Sequence, residues 1–155
     1  MIARELMDAD APTLSPNDSI QQAAELLTTY EHSDIAVLDS EGHIVGALSE
    51  QDLIALALPT ASADLNRLSY LPRCYGLRDL SSEQLQGIAV RDIMREKGFA
   101  TIDEDDLVAQ AALLIMRAHQ PQIFVVRDGR YVGRLCRKFI ISELINPSLG
   151  VACHP

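Results

Sequence analysis

The chain has 155 residues, of which 48% are hydrophobic, and a net charge of −9. This length suits one domain or two small units packed together, and the composition argues against long disorder. So acidic a chain is a poor candidate for binding a nucleic-acid backbone, and no apolar run approaches the ~18 residues of a membrane span. Because the sequence after Met1 is not a signal peptide, we expect a cytoplasmic protein with no nucleic-acid or membrane partner.

The charge is divided unevenly along the chain. Residues 1–58 hold 11 acidic residues and 1 basic residue, whereas residues 88–155 hold 8 acidic and 9 basic residues. Five of these bases lie within residues 127–138. Such a basic cluster is typical of a solvated face, of a surface that pairs with the acidic half, or of a site that faces an anion.

An internal repeat with an offset of 87–88 residues organises the sequence. The matched segments are 3–7 with 90–94, 13–18 with 101–106, 22–27 with 110–115, and 42–48 with 129–135. The matches keep their order and fall on apolar, glycine and helix-capping positions. We interpret them as two copies of one supersecondary unit.

Each copy predicts the element order β-α-β-β-α. The predicted elements are an extended piece at 13–14, a helix at 19–30, strands at 35–38 and 43–48 and a helix at 50–58, then their counterparts at 100–102, 107–118, 123–126, 130–135 and 137–145. Gly42 and Gly129 follow an acidic residue between two apolar runs, which predicts a hairpin turn. An acidic residue precedes the first helix of each copy and is predicted to cap it: Asp18 in the first copy, and Asp105 or Asp106 in the second.

The predicted boundaries give repeat 1 at 1–58, an insert at 59–87, repeat 2 at 88–147 and a tail at 148–155. The insert is longer than an ordinary connection. Its leucines favour a packed structural crossover, and a lid over a ligand cleft or a partner surface are the alternatives.

The segment from Gly46 to Asp52 is the one that suggests ligand chemistry. A strand ends there and a helix begins, with Ser49 as the predicted N-cap and Asp52 three residues further on. A helix N-terminus with a hydroxyl favours a phosphate, and a carboxylate can accept both hydrogen bonds from a ribose. The same Ser-x-x-Asp spacing also predicts a plain capping box, in which the acid bonds back to the N-cap amide.

Other reactive residues give no catalytic or metal pattern. The acidic run 103–106 is explained by complementarity to a helix start, and the four histidines have no ligand spacing. Three widely spaced cysteines predict neither a disulfide framework nor a zinc site. Cys136 lies beside arginines and is either a thiol of lowered pKa or a small packing residue. We therefore expect the protein to bind no metal and no cofactor. We also expect that it is not an enzyme, because no nucleophilic side chain has an evident general base.

The sequence resembles a known family. The tandem β-α-β-β-α pattern, Leu6-Met7 with Ile93-Met94, and the glycine-x-x-Ser-x-x-Asp turn resemble a pair of CBS domains, called a Bateman module. The resemblance implies an α+β fold in which the two repeats pack face to face with pseudo-twofold symmetry. It also implies clefts for adenosine ligands (AMP, ADP, ATP, NAD or S-adenosylmethionine), regulation rather than catalysis, and a homodimer.

The family's ligand positions carry over unevenly to this chain. The resemblance implies that Ser49 contacts phosphate and Asp52 contacts the ribose hydroxyls. The remaining positions that it implies around the nucleotide in repeat 1 are Thr13, Leu14, Ile35, Ala36, Val37 and Gly46, with Ala36 where the family often has proline. In repeat 2, Cys136 and Phe139 stand in place of the hydroxyl and the carboxylate, so we expect the second cleft to be empty, plugged or differently used.

Three bases flank the altered turn of repeat 2: Arg134, Arg137 and Lys138. They are candidates for phosphate counter-charge, for pairing with the acidic repeat, or for simple solvation.

The favoured function is a stand-alone regulatory module that binds an adenosine nucleotide such as AMP or ATP beside repeat 1. The change would be passed to a partner protein. The alternative is a structural dimerisation module with vestigial clefts. A small enzyme is the third possibility, for which we can name no catalytic pair.

Overall fold

The computed structural model describes residues 1–29, 34–57 and 86–145. The predicted tail, and the insert except for residues 86 and 87, lie outside this range. The elements are α1 Ala3–Leu6, β1 Thr13–Leu14, α2 Ile20–Thr29, β2 Asp34–Leu38, β3 Ile44–Ser49, α3 Glu50–Ala57, α4 Val90–Ile93, β4 Thr101–Asp103, α5 Val108–Ala118, β5 Gln122–Arg127, β6 Arg130–Cys136 and α6 Arg137–Ile145.

The described elements form two three-stranded sheets of the same topology, which confirms the α+β prediction. β1 is parallel to β2, and β2 is antiparallel to β3. The order β4-β5-β6 repeats this pattern. Both hairpins shift register at the equivalent place, between Val37 and Leu38 and between Val125 and Val126. The short helices α1 and α4 were not predicted, since four residues are too few to show helical periodicity.

Two predicted helix caps are wrong. The Asp18 carboxylate accepts a hydrogen bond from the Ser15 amide at 2.7 Å, and the Asp106 carboxylate accepts one from the Asp103 amide at 3.1 Å. Both acids therefore close the turn that precedes the helix. At the start of α2, Ser19 performs the capping, because its hydroxyl accepts the Gln22 amide at 3.2 Å.

The N-terminal segment of each repeat packs on the other repeat. Ala3 is fully buried in the core of repeat 2, and Val90 is fully buried in the core of repeat 1. Backbone bonds mirror this exchange: the Ala3 amide donates to the Asp106 carbonyl and the Val90 amide to the Asp18 carbonyl, both at 2.8 Å. The two repeats are thus interlocked by equivalent contacts.

A separate apolar cluster joins the two sheets. Ala36, Ala47 and Phe124 are each no more than 2% exposed and form its buried centre. The Phe124 ring lies 5.8 Å from the Phe99 ring and 5.9 Å from the Tyr131 ring, centroid to centroid. The sheets therefore meet face to face around one large side chain opposite small ones.

Among the described residues, no helix has both the length and the apolar character that a membrane crossing requires.

Candidate functional site

The end of β3 and the start of α3 form what we call the first junction, made by Asp34, Ser49, Asp52 and Arg95. Ser49 and Asp52 form the predicted capping box. The Asp52 Oδ2 atom accepts the Ser49 amide at 2.7 Å and the Ser49 hydroxyl at 2.9 Å, while the Asp52 amide donates to the Ser49 hydroxyl at 3.3 Å. The Asp52 side chain is 18% exposed. The carboxylate is thus fixed at the helix start but still reaches the surface.

Arg95, from the segment after α4, completes the first junction. Its backbone exchanges two hydrogen bonds of 2.9 Å with Ala47, which places it along the edge of β3. Its Nε donates to Asp52 Oδ2 at 3.1 Å, and its terminal nitrogen donates to Asp34. One guanidinium therefore links two carboxylates of the other repeat.

Among the described residues, the first junction has more negative than positive charge. Asp34 and Asp52 together carry two negative charges against the single positive charge of Arg95. Burial raises the pKa of the Asp34 carboxyl, the Arg95 charge opposes that rise, and the Asp52 charge adds to it. Burial thus opposes the charge on the Asp34 carboxylate, whereas the ion pair with Arg95 stabilises it.

Gly46 has a packing role that the sequence did not reveal. A Cβ atom on this residue would lie 2.7 Å from the Met94 sulfur and 3.1 Å from the Arg95 carbonyl oxygen. The close approach of the segment after α4 therefore favours glycine at this place in β3, since a Cβ would force Met94 to move. Gly133 is the counterpart in β6, where a Cβ would lie 2.8 Å from the Asp8 carbonyl oxygen.

The structure separates the other positions that the resemblance implied. Leu14, Ile35 and Val37 are buried in the core of repeat 1, together with Val90 from repeat 2. Ala36 lies in the cluster between the sheets, and Thr13 is exposed at the end of β1. The side chains of Leu14, Ile35 and Val37 are therefore not brought together with Ser49 and Asp52.

The equivalent place in repeat 2, the second junction, is closed by a buried ion pair. Arg134 is 8% exposed, and its guanidinium donates to the Asp8 carboxylate at 3.2 Å and to Gln122 Oε1 at 3.1 Å. Gln122 in turn donates to the Asp34 carbonyl at 2.6 Å, which connects the two repeats. The structure thus places Arg134 in a pairing with the acidic repeat, one of the alternatives that its sequence position left open.

The other two predicted counter-charges are placed differently. Arg137 and Lys138 are exposed at the start of α6, and Lys138 makes interactions of its own. Cys136 and Phe139 are half-buried beside them. The second junction therefore offers neither a hydroxyl nor a carboxylate at the two positions where the first junction has Ser49 and Asp52.

An open pocket of about 580 Å³ lies at the opposite end of the strands, between the two hairpin turns. Its lining residues are His43, Arg127, Asp128, Arg130, Tyr131 and Val132. This pocket does not include the first junction. Because Arg127 already pairs with Glu104, the pocket has less free positive charge than its composition suggests.

The structure also brings together a group of possible metal ligands that the sequence analysis missed. Ligand atoms of Asp39, Glu41 and His43 lie within 4.8 Å of one another in the first hairpin turn. The His43 Nδ1 atom is 3.4 Å from the Asp39 carboxylate and 3.6 Å from the Glu41 carboxylate. Backbone amides hold the pKa of Asp39 below its usual range. These contacts are those of a tight turn with partly exposed polar side chains, which accounts for the grouping.

The sequence did not single out four residues that determine the two junctions: Asp34, Arg95, Asp8 and Gln122. A signal existed in the repeat alignment. Asp8 and Arg95 both follow the methionine of the matched opening segments, so equivalent positions carry opposite charges. The partners of these two residues could be found only once the exchange of N-terminal segments was known.

Comparisons with known proteins identify the repeated unit. A family model described as CBS domain matches residues 3–58 and 90–144. An uncharacterized protein of Methanocaldococcus jannaschii, MJ0450, is 34% identical over 59 residues, which cover 38% of this chain and 31% of that protein. The chain thus matches less than a third of that relative's length.

Solved structures share the whole arrangement. A CBS domain-containing protein of unknown function from Bacillus anthracis superposes with a TM-score of 0.72 at 21% identity, covering 96% of this chain and 95% of that one. CBSX2 in complex with AMP gives a TM-score of 0.69 at 21% identity, covering 94% and 97%. The CBS-pair protein CBSX2 from Arabidopsis thaliana gives the same TM-score at 22% identity, covering 94% of this chain and 95% of that one. These likenesses establish the fold.

Proposed function

Because the chain belongs to the CBS domain family, we propose that it is a regulatory module that binds an adenosine nucleotide, such as AMP or ATP, at the first junction. On this proposal the nucleotide shifts the relative arrangement of the repeats, and a partner protein responds to that shift. A ligand can act in this way only through different affinities for the two arrangements. The module itself performs no catalysis.

The observation that carries this proposal is the geometry of Asp52. The three hydrogen bonds that Asp52 accepts from the described residues all end on Oδ2. Its other oxygen, Oδ1, has no partner within this part of the chain, and the side chain is partly exposed. A carboxylate oxygen held in place beside a helix N-terminus is suited to accept a ribose hydroxyl. The AMP complex of CBSX2, which has the same fold, supports the choice of ligand class.

Asp52→Ala is expected to weaken adenosine nucleotide binding by about tenfold or more, because the ribose acceptor is removed. The dissociation constants for AMP and ATP are measured by calorimetry on the wild type and the variant. Glu50→Ala is the matched control, since Glu50 is an exposed acid in the same first turn of α3. Equal affinity of the wild type and Asp52→Ala would contradict the assignment of Asp52 to the ribose.

A second candidate function, a structural homodimer with vestigial clefts, is favoured by the filling of both junctions with the chain's own ion pairs. Helices α5 and α6 carry a set of large apolar side chains that are at least half exposed: Leu113, Met116, Ile141, Leu144 and Ile145. The two helices contact each other, and exposed apolar side chains on adjacent helices are typical of an interaction surface. A second copy of the chain is the occupant that we propose for it.

Met116→Lys combined with Leu144→Lys is expected to convert a dimer to a monomer. These two side chains are 72% and 77% exposed, so the substitutions remove apolar contact area without disturbing the core. Sedimentation velocity measures the molar mass of the wild type and the variant. Arg117→Ala, an exposed change on the same helix, is the control. A wild type that is monomeric at high concentration would contradict the dimer.

A further inference from the structure

The charge balance of the first junction differs from that of the second. Asp34 lies opposite Ser49 in the β2–β3 ladder, and its side chain is 12% exposed. In repeat 2 the equivalent position is Gln122, which lies opposite Cys136 in the β5–β6 ladder. The first junction therefore has a carboxylate where the second has a neutral amide.

Within the part of the chain that the structure describes, Arg95 alone does not neutralise the two carboxylates of the first junction. Its guanidinium is shared between Asp34 and Asp52, and its backbone is fixed by two bonds to Ala47. At the second junction the charges of one acid, Asp8, and one base, Arg134, cancel within the buried pair, and the further bases Arg137 and Lys138 are exposed. Counting the described residues, a ligand at the first junction meets one negative charge in excess, with Asp34 already holding the cation that would otherwise contact a phosphate.

We propose that Asp34, by its charge and by holding Arg95, makes the first junction select adenosine ligands of low negative charge, so that adenosine and AMP bind more tightly than ADP and ATP. This inference rests on the proposed function. Each additional phosphate brings further negative charge towards two carboxylates that share one guanidinium. In this partly buried place the repulsion is screened less than it would be at an open surface. Asp34 is thus a specificity-determining residue, whereas Asp52 is the one that contacts the ribose.

Asp34→Asn tests this selectivity directly. The substitution keeps the side chain's shape, removes one negative charge and frees Arg95 to contact phosphate. Affinities for adenosine, AMP, ADP and ATP are measured by calorimetry in magnesium-free buffer, where the phosphates keep their full charge. We expect the wild type to bind adenosine and AMP best. In Asp34→Asn the affinity for ATP should rise about tenfold, which is about 1.4 kcal/mol, while that for adenosine should stay nearly constant.

Asp128→Asn is the matched control for net charge. Asp128 is exposed in the second hairpin turn with φ 49°, a conformation that asparagine also adopts readily. The substitution Asp128→Asn removes one negative charge from the chain, at the end of the strands that lies far from the first junction. We expect it to leave the order of affinities as in the wild type.

The outcomes separate this inference from the proposed function. A wild type that binds ATP most tightly, or an order of affinities that Asp34→Asn and Asp128→Asn change equally, overturns the inference and leaves nucleotide binding in place. If neither the wild type nor Asp34→Asn binds any of the four compounds, the proposed function is wrong and the inference is overturned with it. If Asp34→Asn binds ATP and the wild type does not, the result supports both the inference and the proposed function.

Discussion

Phe124→Ala is expected to lower the free energy of unfolding by about 3–5 kcal/mol, the largest effect of a single substitution that we predict. Phe124 is 2% exposed and fills the space between the two sheets, with Phe99 and Tyr131 against its ring. Truncation would leave a cavity bordered by Ala36 and Ala47, whose short side chains cannot fill it. Urea denaturation, followed by circular dichroism, measures the change.

Phe124→Leu is the companion variant, because it keeps most of the side-chain volume. We expect it to cost less than about 1.5 kcal/mol, as volume-conserving apolar changes usually do. A loss below about 1 kcal/mol for Phe124→Ala would mean that the sheets do not meet around this ring. The face-to-face packing of the repeats would then be wrong in its details.

Asp8→Ala is expected to lower the free energy of unfolding by about 3 kcal/mol. The side chains of Arg134 and Asp8 are only 10% and 12% exposed, so removal of the acid leaves a buried guanidinium without its counter-charge. Gln122 still accepts one hydrogen bond from Arg134, which keeps the effect towards the lower end of the range for broken buried pairs. Denaturation by urea at neutral pH measures it.

Two further variants distinguish the loss of the Asp8–Arg134 ion pair from a general weakening of the N-terminal segment. Arg4 pairs with Asp105 at 2.5 Å in an exposed place, so Arg4→Ala should cost less than about 1 kcal/mol. Asp8→Ala combined with Arg134→Met should recover most of the lost stability, because no unpaired charge remains. If the double variant is no more stable than Asp8→Ala, the guanidinium is not the source of the loss.

Both stability predictions concern contacts between the repeats, and the same contacts matter for regulation because they hold the two repeats in their relative arrangement. The N-terminal segments exchange between repeats, so the ion pairs of Arg95 and Arg134 each cross from one repeat to the other. A ligand that competes for Arg95 would loosen one crossing and leave the other intact. Such an asymmetric release is a physical route by which nucleotide binding at one junction could change the arrangement of the repeats.

The sequence alone determined the repeated unit and its elements. Apolar residues three and four apart predicted α2 and α5, and the glycines of the two turns predicted the hairpins, where Gly42 and Gly129 have φ of 86° and 78°. Ser49 and Asp52 were also predictable as a capping box, because the box depends on residues three apart in one helix turn. These features are local, so a short stretch of chain contains all the information.

The tertiary structure alone decided which charges meet. Neither the exchange of α1 and α4 between repeats nor the pairing of Arg95 with Asp34 and Asp52 follows from local patterns, since these partners are 61 and 43 residues apart. Gly46 was identified as part of a motif, but its need for close packing against Met94 became visible only in three dimensions. Local hydrogen bonding and periodicity fix helices, strands and turns. The charge balance of a site depends on distant side chains that only packing brings together.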